Sequence, residues 1–462
     1  MSLEWNDMVL KDVLSDKGYI RGPFGSALKR TEMKSEGIPV YEQSNAIQNN
    51  REFRYFIDEK KYESLKRFTT LTDDLIISCS GTLGSSIGKV SIINENDPKG
   101  IISQALLILR VNKDIILPEF LKYYFISPIG YNSLITRATG SAQANISGRK
   151  VIEQIPIKVP PLSTQAKIIS VLKLIDNKIE NCHLQNKNLE QLSQNLFRKW
   201  FIDFQLESDF NISEPLKESS LGKIPESWEI KTIGDLSIVK GRIGWRGYTT
   251  NDLVDDGPWV VGGKEITSGF IDFSTAKHLT REKYEESPEI MLKDKDLIIA
   301  KTGTIGPIAM FYKNYGEATL NPNVGLIRAN NIAPSLLLTF FKTPRAQYYL
   351  NEFTTSSVQP AINQTTIKQL EIALPSDKQL LDNLSKRFEE INLLQYNLNE
   401  ETKNLQKLRD TLLPKLMSGE IDVSKINCDL SYNNRAQNMN AKNRFHNPKI
   451  KKAPKPPKSS LS

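Results

Sequence analysis

Two stretches of the chain carry their apolar residues at alternating steps of four and three. Ile168, Leu172, Ile175, Ile179, Cys182, Asn186, Leu189, Ser193, Leu196 and Trp200 form one seam. Leu381, Leu384, Phe388, Ile391, Gln395, Leu398, Thr402, Leu405, Arg409 and Leu412 form the other. This spacing lays one stripe along a helix and predicts two long heptad helices. Gln165 to Phe201 and Asp377 to Leu413 are each 37 residues, or about 55 Å at about 1.5 Å per residue. Ser376 and Gln379 have the spacing of a capping box ahead of the second helix, and Pro414 predicts its end. Equal length favours packing of the two helices on each other, and packing of each on its own domain is the alternative. The polar seam residues Asn186, Ser193, Gln395, Thr402 and Arg409 interrupt a continuous coiled coil but can set register.

Ahead of each helix the pattern changes to short β-rich runs such as "SQALLILRV" and "VGLIRA". Gly and Pro punctuate these runs, and short helical patterns follow in "PEFLKYYFIS" and "PSLLLTFFKT". These predict compact α/β or α+β domains. The two regions are copies. "DLIISCSGTLG" (74–84) returns as "DLIIAKTGTIG" (296–306), displaced by 222 positions. "GSAQANIS" (140–147) returns as "SSVQPAIN" (356–363), displaced by 216, and "IPIKVPPLSTQ" (155–165) as "LEIALPSDKQ" (370–379), which aligns Gln165 with Gln379 at 214. The drift is that of lost loop residues. Two copies of this size are paired domains, since short-period repeat folds need more and smaller units. Between them "ESDFNISEPLKESS" has the polar, breaker-containing composition of a linker.

With 462 residues, 39% of them apolar and 25% charged, the chain has the balance of a globular protein of several domains. No run approaches the roughly 18 to 20 apolar residues of a membrane span, and "MSLEWNDMVLKD" is not a secretory signal. Cys79, Cys182 and Cys428 are far apart and match no metal or disulfide pattern. A cytoplasmic location is expected. The net charge of +8 resides in the tail: after Asp429 there is no acidic residue, while Arg435, Lys442, Arg444, Lys449, Lys451, Lys452, Lys455 and Lys458 are basic. The body is balanced, so a nucleic-acid surface on it must be a local patch. The tail has almost nothing to bury and is expected to be disordered.

Catalytic signatures are incomplete throughout. "GPWVVGGKE" (257–265) misses phosphate-loop spacing by one residue and has Glu265 where a hydroxyl would bind metal. "NPNV" (321–324) and "VPPL" (159–162) lack the aromatic of an amino-methyltransferase signature, and no Gly-x-Gly-x-x-Gly turn is present. The Gly-Thr-x-Gly turns, Gly81 to Gly84 and Gly303 to Gly306, have two readings. They are strand connections that need glycine angles, or they let Thr82 and Thr304 and the backbone approach a phosphate.

"GPFGSALK" (22–29), "SGTLG" with "TGTIG", "LFRKWFIDF" (196–204), "GKIPESWEI" (222–230) and "LRDTLLPKLMSGEIDV" (408–423), in this order on a duplicated chain, make the sequence resemble the specificity subunit of type I restriction-modification systems. The resemblance covers nearly all of residues 1–425. It implies two α/β (α+β) target-recognition domains in a pseudo-twofold arrangement, separated by two long antiparallel coiled-coil helices. The expected boundaries are a first recognition domain over 1–160, a spacer helix over 161–205 and a linker over 206–222. A second domain over 223–375, a spacer helix over 376–414 and a C-terminal segment over 415–462 complete the chain. Each domain would read one half of a bipartite double-stranded DNA site. Two methyltransferase subunits using S-adenosylmethionine would modify adenine, and two translocating nuclease subunits using ATP and Mg would cleave. The chain itself would hold no cofactor, metal or catalytic residue. A self-sufficient DNA-modifying enzyme and a coiled-coil scaffold are the alternatives.

Direct readout needs Arg, Lys, Asn and Gln at base edges and further cations on phosphates. Candidates are Arg21, Lys29, Arg30, Thr82, Gln143, Asn145 and Arg149 in the first domain. In the second they are Arg242, Trp245, Arg246, Lys264, Lys301, Thr304, Gln359 and Asn363. The simpler reading of each is an ordinary surface residue. "GYIRGPFGSALK" answers only loosely to "KGRIGWRGYTT", so the half-sites are expected to differ.

Overall fold

The computed structural model describes residues 5–140, 144–146, 148–210, 212–242, 247–267, 269–354 and 360–426. The chain divides into two compact units, one formed by 1–177 with 406–462 and the other by 178–405.

The first unit is built on a four-stranded antiparallel sheet in the order Leu14–Arg21, Leu106–Val111, Leu75–Ser78, Val90–Ile92. The strand cores are continuous apolar runs because both faces of the sheet are covered. Leu75, Ile77, Leu107 and Leu109 face one core with Phe120, Leu121 and Phe125 of the helix Pro118–Ile126. Ile76 and Ile108 point the other way, toward Tyr41, Ala46 and Ile102. A second sheet places Ile38–Tyr41 antiparallel to Phe56–Ile57 and parallel to Ile101–Ile102. A ladder between Asn6–Val9 and Pro156–Val159 joins the start of the domain to its end, just before the long helix begins at Leu162.

The second unit repeats this plan. Its sheet runs Ser237–Lys240, Val324–Ala329, Leu297–Ala300, Ile308–Met310, all antiparallel. Leu297, Ile299 and Ile327 face one core, and Ile298, Ala300 and Leu326 the other. Leu253–Val261 lies between Lys277–Leu279, antiparallel, and Ala318–Leu320, parallel. Trp228–Thr232 pairs with Glu371–Pro375. Smaller devices recur as well. Arg110 binds the buried carboxylate of Asp74 at 2.7 Å, and Arg328 that of Asp296 at 2.6 Å. Ser127 and Thr343 each cap a helix that starts with proline.

The long helices are Leu162–Phe197, continued by a π turn over Arg198–Ile202, and Lys378–Ser418. They pack on each other antiparallel within each unit. In the first, Arg409 meets Asp176 at 3.3 Å, and Leu413 and Met417 share a core with Ile168 and Leu172. In the second, Lys178 meets Glu401 at 3.1 Å, and Phe388 stands edge-on to Phe197, Trp200 and Phe201. Partner numbers fall as helix numbers rise. The far half of the helix Leu162–Phe197 also packs on the second recognition domain: the seam residue Ser193 pairs with Thr339 at 2.9 Å, and Glu190 accepts from Lys342 at 2.6 Å.

Two expectations are corrected. Pro414 does not stop the second helix, which runs on to Ser418. The lost hydrogen bond costs about 3 kcal/mol, while burial of Leu416 and Met417 returns roughly 1.5–3 kcal/mol each. Gly419, at φ 78°, ends it against the Trp5 ring. The cap is Asp377, whose carboxylate accepts the Gln379 N–H at 2.8 Å, and not Ser376, whose own N–H goes to the Ser227 carbonyl. The described residues of the linker 206–222 carry structure of their own. Leu206 is buried, Asp209 holds the Trp200 indole N–H at 2.6 Å, and Leu216–Ser219 forms a hairpin with Gly222–Pro225.

Candidate nucleic-acid interface

In the first unit the strand Leu75–Ser78 leads into Ser80–Gly81, which pairs with Ala144 and Asn145. Asn145 and Ile146 pair in turn with Ala138–Thr139. The Gly-Thr-x-Gly turn therefore meets the segment that follows Gln143 on one ladder. Glycine is required at Gly81, where φ is 135° and a Cβ would lie 2.1 Å from the Ser86 hydroxyl oxygen. That hydroxyl accepts the Thr82 N–H at 2.8 Å, and Thr82 is exposed at the tip. The Gln43 amide, which no sequence motif marks, donates to the Ser80 carbonyl. Arg21 ends the first sheet strand and reaches this ladder, its Nη1 donating to the Ile146 carbonyl at 3.2 Å. Its Nε is buried without a partner, and its guanidinium lies 5.9 Å from the ring of exposed Phe24.

The other first-unit candidates are placed differently. Asn145 is exposed on the ladder. Arg149 begins the next short helix and pairs with Glu153 at 2.7 Å. Lys29 and Arg30 are exposed on a separate 3-10 turn, where Glu32 accepts the Lys29 N–H.

The second unit repeats the junction. Ile362 N–H donates to the Lys301 carbonyl at 2.9 Å and Gly303 N–H to the Pro360 carbonyl at 3.0 Å, with Thr302 bridged to Ala361. Thr304 is exposed at the turn. Lys301 is half-buried, and that burial pulls its pKa below the usual lysine value. Arg242 is 5% exposed and belongs to the domain's interior. Its Nε donates to the Leu320 carbonyl at 2.7 Å and its Nη2 to the Thr319 hydroxyl at 3.0 Å. Lys264 is exposed beside the carboxylate of Glu265 at 3.3 Å. Asn363 caps the helix Gln364–Gln369, accepting the Thr366 N–H at 2.8 Å. Gln143, Trp245, Arg246 and Gln359 lie outside the described residues.

"NPNV" forms the turn into Val324–Ala329, with the Asn321 side chain accepting the Asn323 N–H and the Asn323 carbonyl accepting the Lys301 N–H. Asn323 Oδ1 is buried without a partner. "GPWVVGGKE" is the end of a strand and a 3-10 turn rather than a phosphate loop. Among the described residues no group of three or more His, Cys, Asp or Glu could hold a metal ion, and no helix is long and apolar enough to cross a membrane.

The model of the type I restriction modification DNA specificity domain matches this chain twice, over residues 3–191 and 225–404. The chain belongs to that family. One match per half agrees with the repeated sheets. Among curated relatives, the specificity subunit of the type I restriction enzyme MjaIX of Methanocaldococcus jannaschii is 26% identical over 333 residues, covering 68% of this chain and 72% of that one. The specificity subunit of the type I restriction enzyme HindI of Haemophilus influenzae is 23% identical over 397 residues, covering 72% and 84%. The crystal structure of the type I restriction-modification S subunit from M. genitalium shares the fold, with a TM-score of 0.54 at 15% identity over 90% of this chain and 96% of that one.

Proposed function

We infer that each unit of this DNA specificity subunit reads one half of a bipartite site, and that the chain directs chemistry it does not perform. The observation that carries this is the repeated junction. In both units an interior sheet strand leads into a Gly-Thr-x-Gly turn whose threonine is exposed and whose start is hydrogen-bonded to a second segment, with Arg21 beside it in one unit and Lys301 in the other. Exposed backbone and hydroxyls at a turn can position on phosphate, while a held cation and amides can reach base edges.

The partners in this reading are two adenine methyltransferase subunits that use S-adenosylmethionine and two translocating nuclease subunits that use ATP and Mg, all acting in the cytoplasm. A recognition domain fixed to a long helix by Ser193–Thr339 and Glu190–Lys342 contacts is suited to this, because a reader must hold its geometry while others act. The test is reconstitution. The purified chain with S-adenosylmethionine should leave DNA unmodified, and adding the methyltransferase subunits should produce adenine methylation at one bipartite sequence. Modification by the chain alone would favour a self-sufficient enzyme. No sequence preference in the reconstituted complex would favour a scaffold.

A further inference from the structure

We propose that Lys301 is a specificity-determining residue of the second unit, donating to the acceptor edge of a base in its half-site, a role that rests on the chain being a DNA specificity subunit. Internal comparison of the two units singles it out. The Lys301 N–H donates to the Asn323 carbonyl at 3.0 Å, and the Cys79 N–H donates to the Ala105 carbonyl at 2.8 Å. The Lys301 carbonyl accepts from Ile362 N–H, and the Cys79 carbonyl from Ile146 N–H. Lys301 and Asn323 therefore occupy the places of Cys79 and Ala105. The first unit fills this strand exit with a fully buried thiol and a methyl group, whereas the second fills it with an ammonium and an amide.

The first unit's cation at the junction comes from a different strand. Arg21 reaches the ladder there, with its Nε left without a partner. In the second unit Arg242 follows the corresponding strand but turns inward to Leu320 and Thr319, and Lys301 supplies the cation at the junction instead. Its side chain lies over the neighbouring strand end: Nζ is 3.2 Å from where a Cβ on Gly241 would stand. The Gln364 amide is 3.3 Å from the same point and the Val324 carbonyl oxygen 3.7 Å. The Gln364 amide is itself held, donating to the Val239 carbonyl and accepting from Gly241 N–H. Among the described residues no carboxylate pairs with Lys301, in contrast to Lys264 beside Glu265.

A half-buried cation without an anion is costly in the free protein. A flexible surface lysine would serve a phosphate equally well without that cost. Half-burial narrows where this donor can reach, which gains something only where the acceptor is at a fixed position, as guanine O6 and N7 are in the major groove. A lysine donor there makes guanine the expected base.

The test uses the complex with its methyltransferase subunits, with sites mapped by adenine methylation and affinities measured on duplexes differing at one base pair. Lys301→Met should relax one position of the second half-site, weaken the cognate duplex by about 5- to 150-fold, and leave other duplexes and the first half-site unchanged. Gly241→Ala keeps the charge but crowds Nζ, and should relax the same position. An unchanged second half-site in both variants overturns the proposal. So does a uniform loss on all sequences with a salt dependence shallower by about one, the mark of a phosphate contact. The first half-site is the internal control for folding. Were the unaltered complex to modify no bipartite sequence, the specificity-subunit reading would fail first, and this assignment with it.

Discussion

Replacing Asp296 by alanine should destabilise the second unit far more than its single lost charge suggests. The carboxylate is 2% exposed and accepts three hydrogen bonds, from Arg328 Nε at 2.8 Å, Arg328 Nη2 at 2.6 Å and the Lys293 N–H at 2.6 Å. Its removal strands a guanidinium that is itself 23% exposed. Breaking a buried pair from one side costs about 3–5 kcal/mol. For a unit of this size that is a fall in melting temperature of roughly 6–20 °C. Asp74, 1% exposed and bound to Arg110 and the Leu71 N–H at 2.7 Å, is the same device in the first unit, so Asp74→Ala should cost as much. Exchanging both partners for apolar residues, Asp296→Leu with Arg328→Met, leaves no buried charge and should recover most of the loss. Urea unfolding of the full chain measures all of these. A single substitution that costs under about 1 kcal/mol, or a double that costs as much as the single, would refute the reasoning. The pair also anchors the start of Leu297–Ala300, the strand whose far end presents Lys301 and the turn.

Two further outcomes follow from the same geometry. Cys79 is fully buried and its thiol is pushed up to about 12, so near pH 8 this residue presents almost no thiolate. In a Cys182→Ser, Cys428→Ser background, iodoacetamide at pH 8 should label Cys79 only at the rate of unfolding, and rapid native labelling would contradict its placement. Deleting Asn181–Lys187 together with Leu398–Asn404, heptads that meet through Cys182 and Glu401, shortens each helix by about 10.5 Å. That approaches three base pairs at about 3.4 Å each. Methylation mapping should show a shorter gap or no modification, and an active variant with the original gap would remove the helices from that role.

The sheets were legible in the sequence because their strands are buried on both faces, leaving long apolar runs that could be matched between copies. The long helices were legible because their seams serve two surfaces at once, each other and the domain packed beside them. What escaped was decided by neighbours distant in sequence. Pro414 passes through a helix because Leu416 and Met417 have a core waiting in the first unit. Arg242 looked like a DNA contact, and only the fold brings Leu320 and Thr319 to it. Lys301 was one of several candidates in its domain until the hydrogen bonds set it against Cys79 and set Asn323 against Ala105. Asp377 caps in place of Ser376 because the helix starts at Lys378, which puts Asp377 immediately before its first turn. The junction candidates were found from the repeated motifs, and Gln43 was missed because its role depends on reaching a strand 37 residues away.

The central claim is that two copies of one recognition fold read two half-sites independently. It is tested most directly by replacing residues 1–160 with the corresponding domain of a relative and mapping adenine methylation by the reconstituted complex. The account predicts that the half-site read by the first unit changes to the donor's while the other half-site stays as it was. A change in both half-sites, or in neither, would contradict it.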